Sequence, residues 1–175
     1  NVETIISIYN AVVKGIPSME RVVTVTGDGV VNPGNYKVLF GTNQNELIEA
    51  AGGLKEGCEK VISGGPMMGF ATYTTDTPIT KTSSSILCMS KDEVSACEPT
   101  ACINCGRCVD ACPSRIIPSR LADFAERHDE EAFLKFNGLE CVECGSCSYV
   151  CPAKRQLKQA IGSMRKTALA NKKKK

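Results

Sequence analysis

Several features common in enzymes and in membrane proteins are absent from this sequence of 175 residues. It contains no tryptophan, its aromatic content is 5%, and His128 is its only histidine. No nucleophile–base pair can be named, and we expect His128 to be solvated on a helix surface. No apolar run approaches the ~20 residues that cross a bilayer, and no signal peptide is recognisable. The scarcity of aromatic residues predicts compact modules packed by Val, Ile, Leu and Ala.

The first residues have the pattern of a helix end. The chain opens at Asn1 without an initiator Met, and apolar residues from Val2 to Val13 follow helical spacing. Pro17 lies just beyond this pattern and stops the helix. We therefore expect a fragment of a longer protein, in which residues 1–17 are the last helix of a missing upstream domain.

The charge is unevenly placed, although the net charge is only +2. Residues 154–175 hold nine Lys or Arg and no acid, whereas residues 1–153 hold the other twelve basic and all nineteen acidic residues, a net charge of −7. We expect a basic helix at 154–170 and disorder in the four lysines that end the chain. A solvated or partner-bound tail is favoured over an anchor on anionic lipid. Nucleic-acid binding is not expected, because the rest of the chain is acidic and poor in aromatics.

Residues 18–95 predict a small module of the β-grasp type. Apolar alternation and short apolar runs predict strands at 21–26, 35–40, 60–63 and 86–89. A helix opens after Asn43 and ends at Gly52. GDGVVNPG lies between two strands, so we interpret it as hairpin turns and not as a dinucleotide loop, which needs a following helix. GGPMMG lacks the Lys and Ser/Thr of a phosphate loop and predicts a tight turn.

Eleven cysteines are many for a chain of this length. Their odd number, their clustering and the lack of a signal favour thiolate ligation in a reducing cytosol over disulfides. Eight form two runs, CINCGRCVDACP from Cys102 and CVECGSCSYVCP from Cys141, both with the bacterial-ferredoxin pattern C-x2-C-x2-C-x3-C-P. A structural zinc site usually pairs two C-x2-C knuckles, and the third Cys and the CP of each run would be superfluous there.

The spacing predicts two 4Fe-4S clusters with crossed ligands. Three cysteines three residues apart wrap one corner of a cubane, and in two-cluster proteins the fourth ligand comes from the other run. The first cluster is assigned to Cys102, Cys105, Cys108 and Cys151, and the second to Cys141, Cys144, Cys147 and Cys112. Gly106 and Gly145 stand at matched places, where we expect the missing Cβ to let backbone N–H groups approach the inorganic sulfides.

Three cysteines remain outside these runs. We expect Cys58 and Cys88, near strand ends, to be small buried apolar residues. Cys97, Cys102 and Cys105 match the plant-type C-x4-C-x2-C spacing. If Cys97 were a ligand in that pattern, two cysteines of the first run would be left without a cluster to bind. Cys97 is therefore interpreted as a non-ligand.

Helices are expected to connect the two cysteine runs. Pro118 suits the first turn of one helix, and Asp129 can cap a second helix that ends at Gly138. Residues 96–153 therefore predict a mainly α-helical two-cluster ferredoxin-like domain, and the fold class of the whole chain is α+β.

Charged residues beside the runs suggest an order of reduction potentials. Arg107 and Arg115 flank the first run, whereas Glu140 and Glu143 flank the second. Positive charge favours the reduced form of a cluster, so the first cluster is expected to have the higher potential.

The order of these features resembles one known family. VTVTGDGVVNPGNY, then SGGPMMG, then two CxxCxxCxxxCP runs are similar to the C-terminal part of the C subunit of Rnf-type ion-translocating electron-transport complexes. The resemblance extends up to the basic tail. It implies a soluble-ligand-binding (SLBB-like) β-grasp module and an upstream Rossmann-like domain that binds FMN and NAD(H), of which residues 1–17 would be the last helix.

The resemblance also implies a role and a location. The chain would relay electrons between the NAD(H)/FMN site and membrane subunits of an ion-translocating ferredoxin:NAD+ oxidoreductase. Its partners would include a ferredoxin-like iron–sulfur subunit, and it would lie peripherally on the cytoplasmic face of the cell membrane. Two alternatives stay open, namely a soluble cobalamin reductase-like flavin/iron–sulfur protein and a non-redox ligand-binding module whose clusters are structural.

Overall fold

The computed structural model describes residues 2–92 and 97–174. These residues fall into two compact units that divide between residues 93 and 94. The first contains a five-stranded sheet with two helices, and the second is helical. This agrees with the α+β class and with the order of modules expected from the sequence.

The sheet of the first unit mixes parallel and antiparallel pairing. Its strands are β1 (Glu20–Thr26), β2 (Gly34–Leu39), β3 (Lys60–Ser63), β4 (Phe70–Thr72) and β5 (Ser85–Met89). Their order is β2-β1-β5-β3-β4, and β1 runs parallel to β5 while the other neighbours are antiparallel. The central position of the last strand, β5, shows that the chain crosses back between β1 and β3.

One face of the sheet forms the core of this unit together with helix α2 (Gln44–Ala50). Val23 and Val25 of β1 are fully buried, whereas Val22 is half exposed, as the alternation of a strand requires. The core comprises Val23, Val25, Val30, Leu47, Ile48, Ala51, Val61, Ile79, Ile86 and Cys88. The predicted cap of α2 is confirmed, because the Asn43 side chain accepts a hydrogen bond from the N–H of Asn45 at 2.9 Å.

The glycine-rich stretches are turns, as predicted. GDGVVNPG connects β1 to β2, which excludes the strand–loop–helix context of a dinucleotide site. In GGPMMG the N–H of Gly69 donates to the carbonyl of Gly65 at 2.8 Å, and a Cβ on Gly69 would lie 2.7 Å from Ile62. Strand β4, directly after this turn, was not predicted, since FAT is too short to show a period.

Helix α1 (Val2–Lys14) forms where the apolar spacing predicts it. No residue of this helix is buried, and Val2, Ile5 and Val12 are each more than half exposed. Glu3 connects the helix to the sheet, because its carboxylate pairs with Arg21 at 3.1 Å and accepts from the N–H of Val22. The apolar face of α1 is therefore uncovered by the residues that the structure describes.

The second unit packs short helices around one long one. They are α3 (Arg107–Asp110), α4 (Pro118–Glu126), α5 (Glu130–Lys135), α6 (Ser146–Tyr149) and α7 (Leu157–Lys174). The predicted Pro118 start and Asp129 cap are both confirmed, and the Asp129 side chain accepts from the N–H of Ala132 at 2.9 Å.

The end of α5 differs from the prediction in its mechanism. Asn137, and not Gly138, takes the left-handed conformation, with φ of 59°. Gly138 is needed for a different reason, because a Cβ there would lie 2.3 Å from the ring of buried Phe133. The glycine thus serves packing, and the asparagine reverses the chain.

Helix α7 is longer than predicted and packs against α4. Its buried positions Leu157, Ile161, Met164 and Ala168 are the predicted apolar side of the helix. The helix continues to Lys174, so the lysines at 172 and 173, expected to be disordered, are helical. The unit's core also includes Leu121, Ala125 and Phe133, with several cysteines packed against it.

Candidate metal centres

The two cysteine runs have the same backbone conformation, residue by residue. Left-handed residues Asn104 and Gly106 in the first run, and Arg115 just after it, have counterparts 39 positions later at Glu143, Gly145 and Lys154. The φ angles of each pair agree within 7°. Only two of these six residues are glycines, so the shared non-glycine outliers mark a loop shape that its surroundings impose.

The hydrogen bonds repeat in the same way. The carbonyl of Gly106 accepts from Val109 and Asp110 and so starts α3, and the carbonyl of Gly145 accepts from Ser148 and Tyr149 and so starts α6. Both helices last one turn, and they contact each other. Each run is therefore a loop followed by one helical turn, and the turn carries its fourth cysteine away from the first three.

The first cysteine pocket draws its sulfurs from both runs. Cys102, Cys105 and Cys108 line it together with Cys151 of the second run. Other lining residues include Gly106, Ser119, Arg155 and Leu157. Cys102 and Cys105 are exposed and Cys108 and Cys151 are half-buried, so this pocket opens to solvent.

The second cysteine pocket combines the two runs in the opposite way. Cys141, Cys144 and Cys147 line it together with Cys112 of the first run. Other lining residues include Gly145, Glu143, Lys158 and Ile161. Its cysteines are half-buried or, for Cys147, buried, so it is the more enclosed of the two.

The donor set fits a polynuclear iron–sulfur group. Each pocket is lined by four thiols, which are the usual ligands of such clusters. Within residues 2–92 and 97–174, no three His, Cys, Asp or Glu converge closely enough to hold a single metal ion. The third Cys and the CP of each run favour the ferredoxin pattern over a zinc site, which usually pairs two C-x2-C knuckles.

The environment of the second pocket changes the acidity of its thiols. Burial raises the pKa of Cys147 to about 11, and it also raises the pKa of Cys141. Hydrogen bonding to Ser146, whose Oγ lies 3.5 Å from the sulfur, lowers the pKa of Cys144. Because metals bind thiolates, iron binding must displace protons that burial holds on the first two sulfurs.

Arginines of the basic C-terminal segment enter the surroundings of both pockets. Arg155 lines the first pocket and is held by Asp123 at 2.8 Å and Glu126 at 2.9 Å. Arg165 pairs with Glu143, which lines the second pocket, at 3.2 Å. The interpretation of this segment as solvated or partner-bound did not include these contacts of its arginines. Only the amphipathic spacing of the segment could have indicated that it packs beside the cysteine pockets.

The cysteines outside the runs lie where their neighbours suggest. Cys88 is fully buried in the sheet core, and Cys58 is half-buried beside it. Burial, with a smaller contribution from Cys58, raises the pKa of Cys88 to about 11. Cys97 is exposed and lines neither cysteine pocket.

Comparison with known families defines the class of protein. Residues 22–71 match the SLBB domain, and residues 101–155 match the 4Fe-4S dicluster domain. The second match contains both cysteine runs. The chain is therefore an SLBB module followed by an iron–sulfur dicluster domain.

Curated relatives narrow this class further. The three described here are C subunits of ion-translocating complexes. The chain is 48% identical, over 92% of its length, to the one from the proton-translocating ferredoxin:NAD(+) oxidoreductase complex of Clostridium ljungdahlii. It is 39% identical, over 99% of its length, to the one from the Na(+)-translocating ferredoxin:NAD(+) oxidoreductase complex of Acetobacterium woodii. It is also 41% identical, over 75% of its length, to the one from the ion-translocating oxidoreductase complex of Yersinia enterocolitica.

These matches make the chain a homologue of C subunits of ion-translocating oxidoreductase complexes, as its motifs suggested. The chain spans 35%, 39% and 19% of the lengths of these three relatives.

Proposed function

We propose that this chain is an electron relay, with one 4Fe-4S cluster in each cysteine pocket. The observation that carries the proposal is the lining of the two pockets, each with three cysteines of one run and the fourth of the other. Each cluster, when bound, takes up and releases one electron at a time. Two such centres close together, in contacting loops, suit transfer along the chain.

The first site in this proposal uses Cys102, Cys105, Cys108 and Cys151, and the second uses Cys141, Cys144, Cys147 and Cys112. The chain's own contribution is to hold eight sulfurs on two loops of the same shape. Buried Leu157 and Ile161 line the first and second pockets, respectively, and limit the access of water. Gly106 and Gly145, both left-handed, leave their side of each pocket free of a Cβ, which suits N–H groups directed at sulfide.

The relatives' names support the coarser part of a wider role, because they place C subunits in ferredoxin:NAD(+) oxidoreductase complexes. We infer that the chain belongs to an ion-translocating ferredoxin:NAD+ oxidoreductase complex and carries electrons between an NAD(H)/FMN site and membrane subunits, with a ferredoxin-like iron–sulfur subunit among its partners. No residue of this chain is assigned to FMN or NAD(H), which are proposed to bind an upstream domain. The uncovered apolar face of α1 supports residues 1–17 as that domain's last helix.

We propose a peripheral position on the cytoplasmic face of the membrane. Among the described residues, no helix combines the length and apolarity needed to cross a bilayer. Cofractionation with membrane subunits would test this part of the proposal, and release by high salt would distinguish peripheral attachment from insertion.

Metal analysis of anaerobically purified chain tests the relay directly. We expect about eight irons and eight acid-labile sulfides per chain, corresponding to two four-iron centres. Reduction with dithionite should produce an EPR signal that is split by magnetic coupling between neighbouring clusters. Stoichiometric zinc, or clusters that dithionite and stronger reductants leave EPR-silent, would refute the relay.

A further inference from the structure

An open cleft adjoins the second cysteine pocket. It has a volume of about 440 Å³ and is lined by Ser114, Arg115, Ile116, Ile117, Lys135, Phe136, Asn137 and Glu140. Two of these residues, Ser114 and Ile116, also line the second cysteine pocket. We call this feature the basic cleft, and a molecule seated in it would lie next to the second cluster site.

The cations of the basic cleft are available for a ligand. Arg115 and Lys135 are exposed, and neither forms an ion pair within residues 2–92 and 97–174. Glu140 is the only carboxylate among the lining residues. The lining therefore carries a net charge of +1, in a part of the chain, residues 1–153, whose net charge is −7.

The surroundings of the first pocket have the opposite charge. A cleft of about 400 Å³ there shares Cys102 and Arg155 with the first cysteine pocket. Its acids Asp123 and Glu126 both bind Arg155, whose side chain is only 11% exposed. One arginine between two carboxylates leaves a net charge of −1. The two ends of the relay are thus electrostatically different.

The basic cleft also presents apolar surface. Ile117 in its lining is 40% exposed, and half-buried Phe136 also lines the cleft. Val142, which lines the adjoining second pocket, is 55% exposed. Apolar contacts surrounded by unpaired cations are typical of a surface that receives a protein, because apolar area supplies affinity and the charged rim selects and orients the partner.

We propose that the basic cleft is the docking site for the acidic surface of an electron-carrier protein, so that this partner exchanges electrons at the second site. This inference rests on the proposed relay and adds which of its two sites exchanges electrons with the partner. The exposed cations select a partner with carboxylates. Because the cleft lies beside the second pocket, the expected partner is a protein with a redox centre. On docking, the reduced carrier loses one electron and the relay gains one, with no proton transferred.

A binding titration tests the docking. The probe is a small, acidic, two-cluster bacterial ferredoxin, titrated into the anaerobic chain at low and at moderate salt. The double variant Arg115→Gln/Lys135→Gln should raise Kd by about fivefold to tenfold at low salt, and should weaken its salt dependence, because exposed cations act through screened attraction. Unchanged binding in this variant would overturn the proposal.

Lys154→Gln is the matched control for the single variant Arg115→Gln, which by itself should also raise Kd at low salt. Lys154 is exposed, has φ of 53° against 52° for Arg115, and follows Cys151 as Arg115 follows Cys112. Its removal deletes the same charge at the equivalent place of the other run and should change Kd by less than about twofold. Conversely, Glu140→Gln should tighten binding. An equal loss in Lys154→Gln would mean that overall charge, and not the cleft, controls binding, and would overturn the proposal.

Two further measurements test a different docking surface and a different ligand of the cleft. If replacing the four lysines at 172–175 by glutamine abolishes ferredoxin binding while the cleft variant retains it, the tail is the docking site and the proposal fails. If the cleft variant loses binding to phosphatidylglycerol vesicles and not to ferredoxin, the cleft faces a membrane and the proposal also fails.

The rate of one-electron reduction by reduced ferredoxin separates docking from the relay itself. The cleft variant should be reduced more slowly than the wild-type chain, while reduction by methyl viologen radical, a small cation, should not slow. A chain that neither reagent reduces would refute the relay, whereas the titration would still report on the cleft. Equal ferredoxin rates in wild type and cleft variant would refute the docking alone.

Discussion

Cys112 lies with one cysteine run in the sequence and with the other run in space. It belongs to the first run by sequence, but it lines the pocket of the second run. Its counterpart Cys151 has the reverse placement. The one-turn helices α3 and α6 produce this crossing, because each separates the last cysteine of its run from the first two. The third cysteine of each run lies within the helix, and the fourth lies beyond its end.

Replacement of Cys112 tests the crossing. Cys112→Ala should remove or alter the cluster held by Cys141, Cys144 and Cys147. Its EPR spectrum should therefore resemble that of Cys144→Ala, and the spectrum of Cys151→Ala should resemble that of Cys105→Ala. Crossed ligation would be wrong if Cys112→Ala instead matched Cys105→Ala.

Cys88 makes the stability of the first unit depend on pH. Burial raises the pKa of its thiol to about 11, whereas an unfolded thiol has a pKa of ~8.5. Between these values the unfolded chain loses the proton first, so the free energy of unfolding should fall as pH rises from about 8.5 to 11, by on the order of 2 kcal/mol.

Comparison with Cys88→Val measures this contribution. Urea unfolding followed by far-UV circular dichroism, under anaerobic reducing conditions, should give a shallower pH slope for the variant than for the wild-type chain. Other cysteines titrate in both proteins and cancel in the difference. Parallel slopes would mean that the Cys88 thiol is not shielded from water in solution.

At the scale of elements, α7 joins the two cysteine runs to the remaining helices. Leu157 and Ile161 line the first and second pockets, respectively, and Met164 is buried on the same face of the helix. Arg155, just before the helix, and Arg165 within it bind acids of α4 and of the second run. The amphipathic pattern of α7 could be recognised from the sequence, but its partner could not, because a stripe of apolar residues does not specify which surface covers it.

A substitution in the stripe should affect stability and cluster retention together. Ile161→Ala should lower the free energy of unfolding of the second unit by about 2–5 kcal/mol, because it leaves a cavity in the core. It should also speed the loss of visible absorbance when the chain is exposed to a chelator. Lys166→Ala, at an exposed position of the same helix, should change stability by less than about 0.5 kcal/mol.

At the scale of the whole molecule, the two units have cores of different kinds. The core of the first unit contains no cysteine of either run, whereas cysteines of both runs pack against the core of the second. Because cysteines of both runs pack against the core of the second unit, we expect the proposed clusters to stabilise this unit and not the first.

Removal of iron should therefore loosen only the second unit. After anaerobic chelation we expect hydrogen exchange to accelerate in α4 and α7, while amides of β1 and β5 keep their protection. The measurement is exchange mass spectrometry on the full chain before and after chelation. Loss of protection in the sheet would show that the first unit also depends on the metal.

The distribution of charge shows how folding changes an expectation drawn from sequence neighbours. Arg115 flanks the first run, yet it lines the basic cleft beside the second pocket. Glu143 flanks the second run, but Arg165 pairs with it. The placement of Arg115 weakens the electrostatic argument for a higher potential of the first cluster, although Arg155 lines the first pocket. The order of the two potentials stays a prediction.

The sequence by itself determined the order of the modules and the spacing of the cysteines in this protein. Thiol spacing, capping residues and apolar alternation act over a few residues, so the runs, the Asn43 and Asp129 caps and most strands could be predicted. Only the tertiary structure decided which charges surround each pocket and which stay free. Those outcomes depend on contacts such as Arg155 with Asp123 and Arg165 with Glu143, which join residues 32 and 22 positions apart and leave no local pattern.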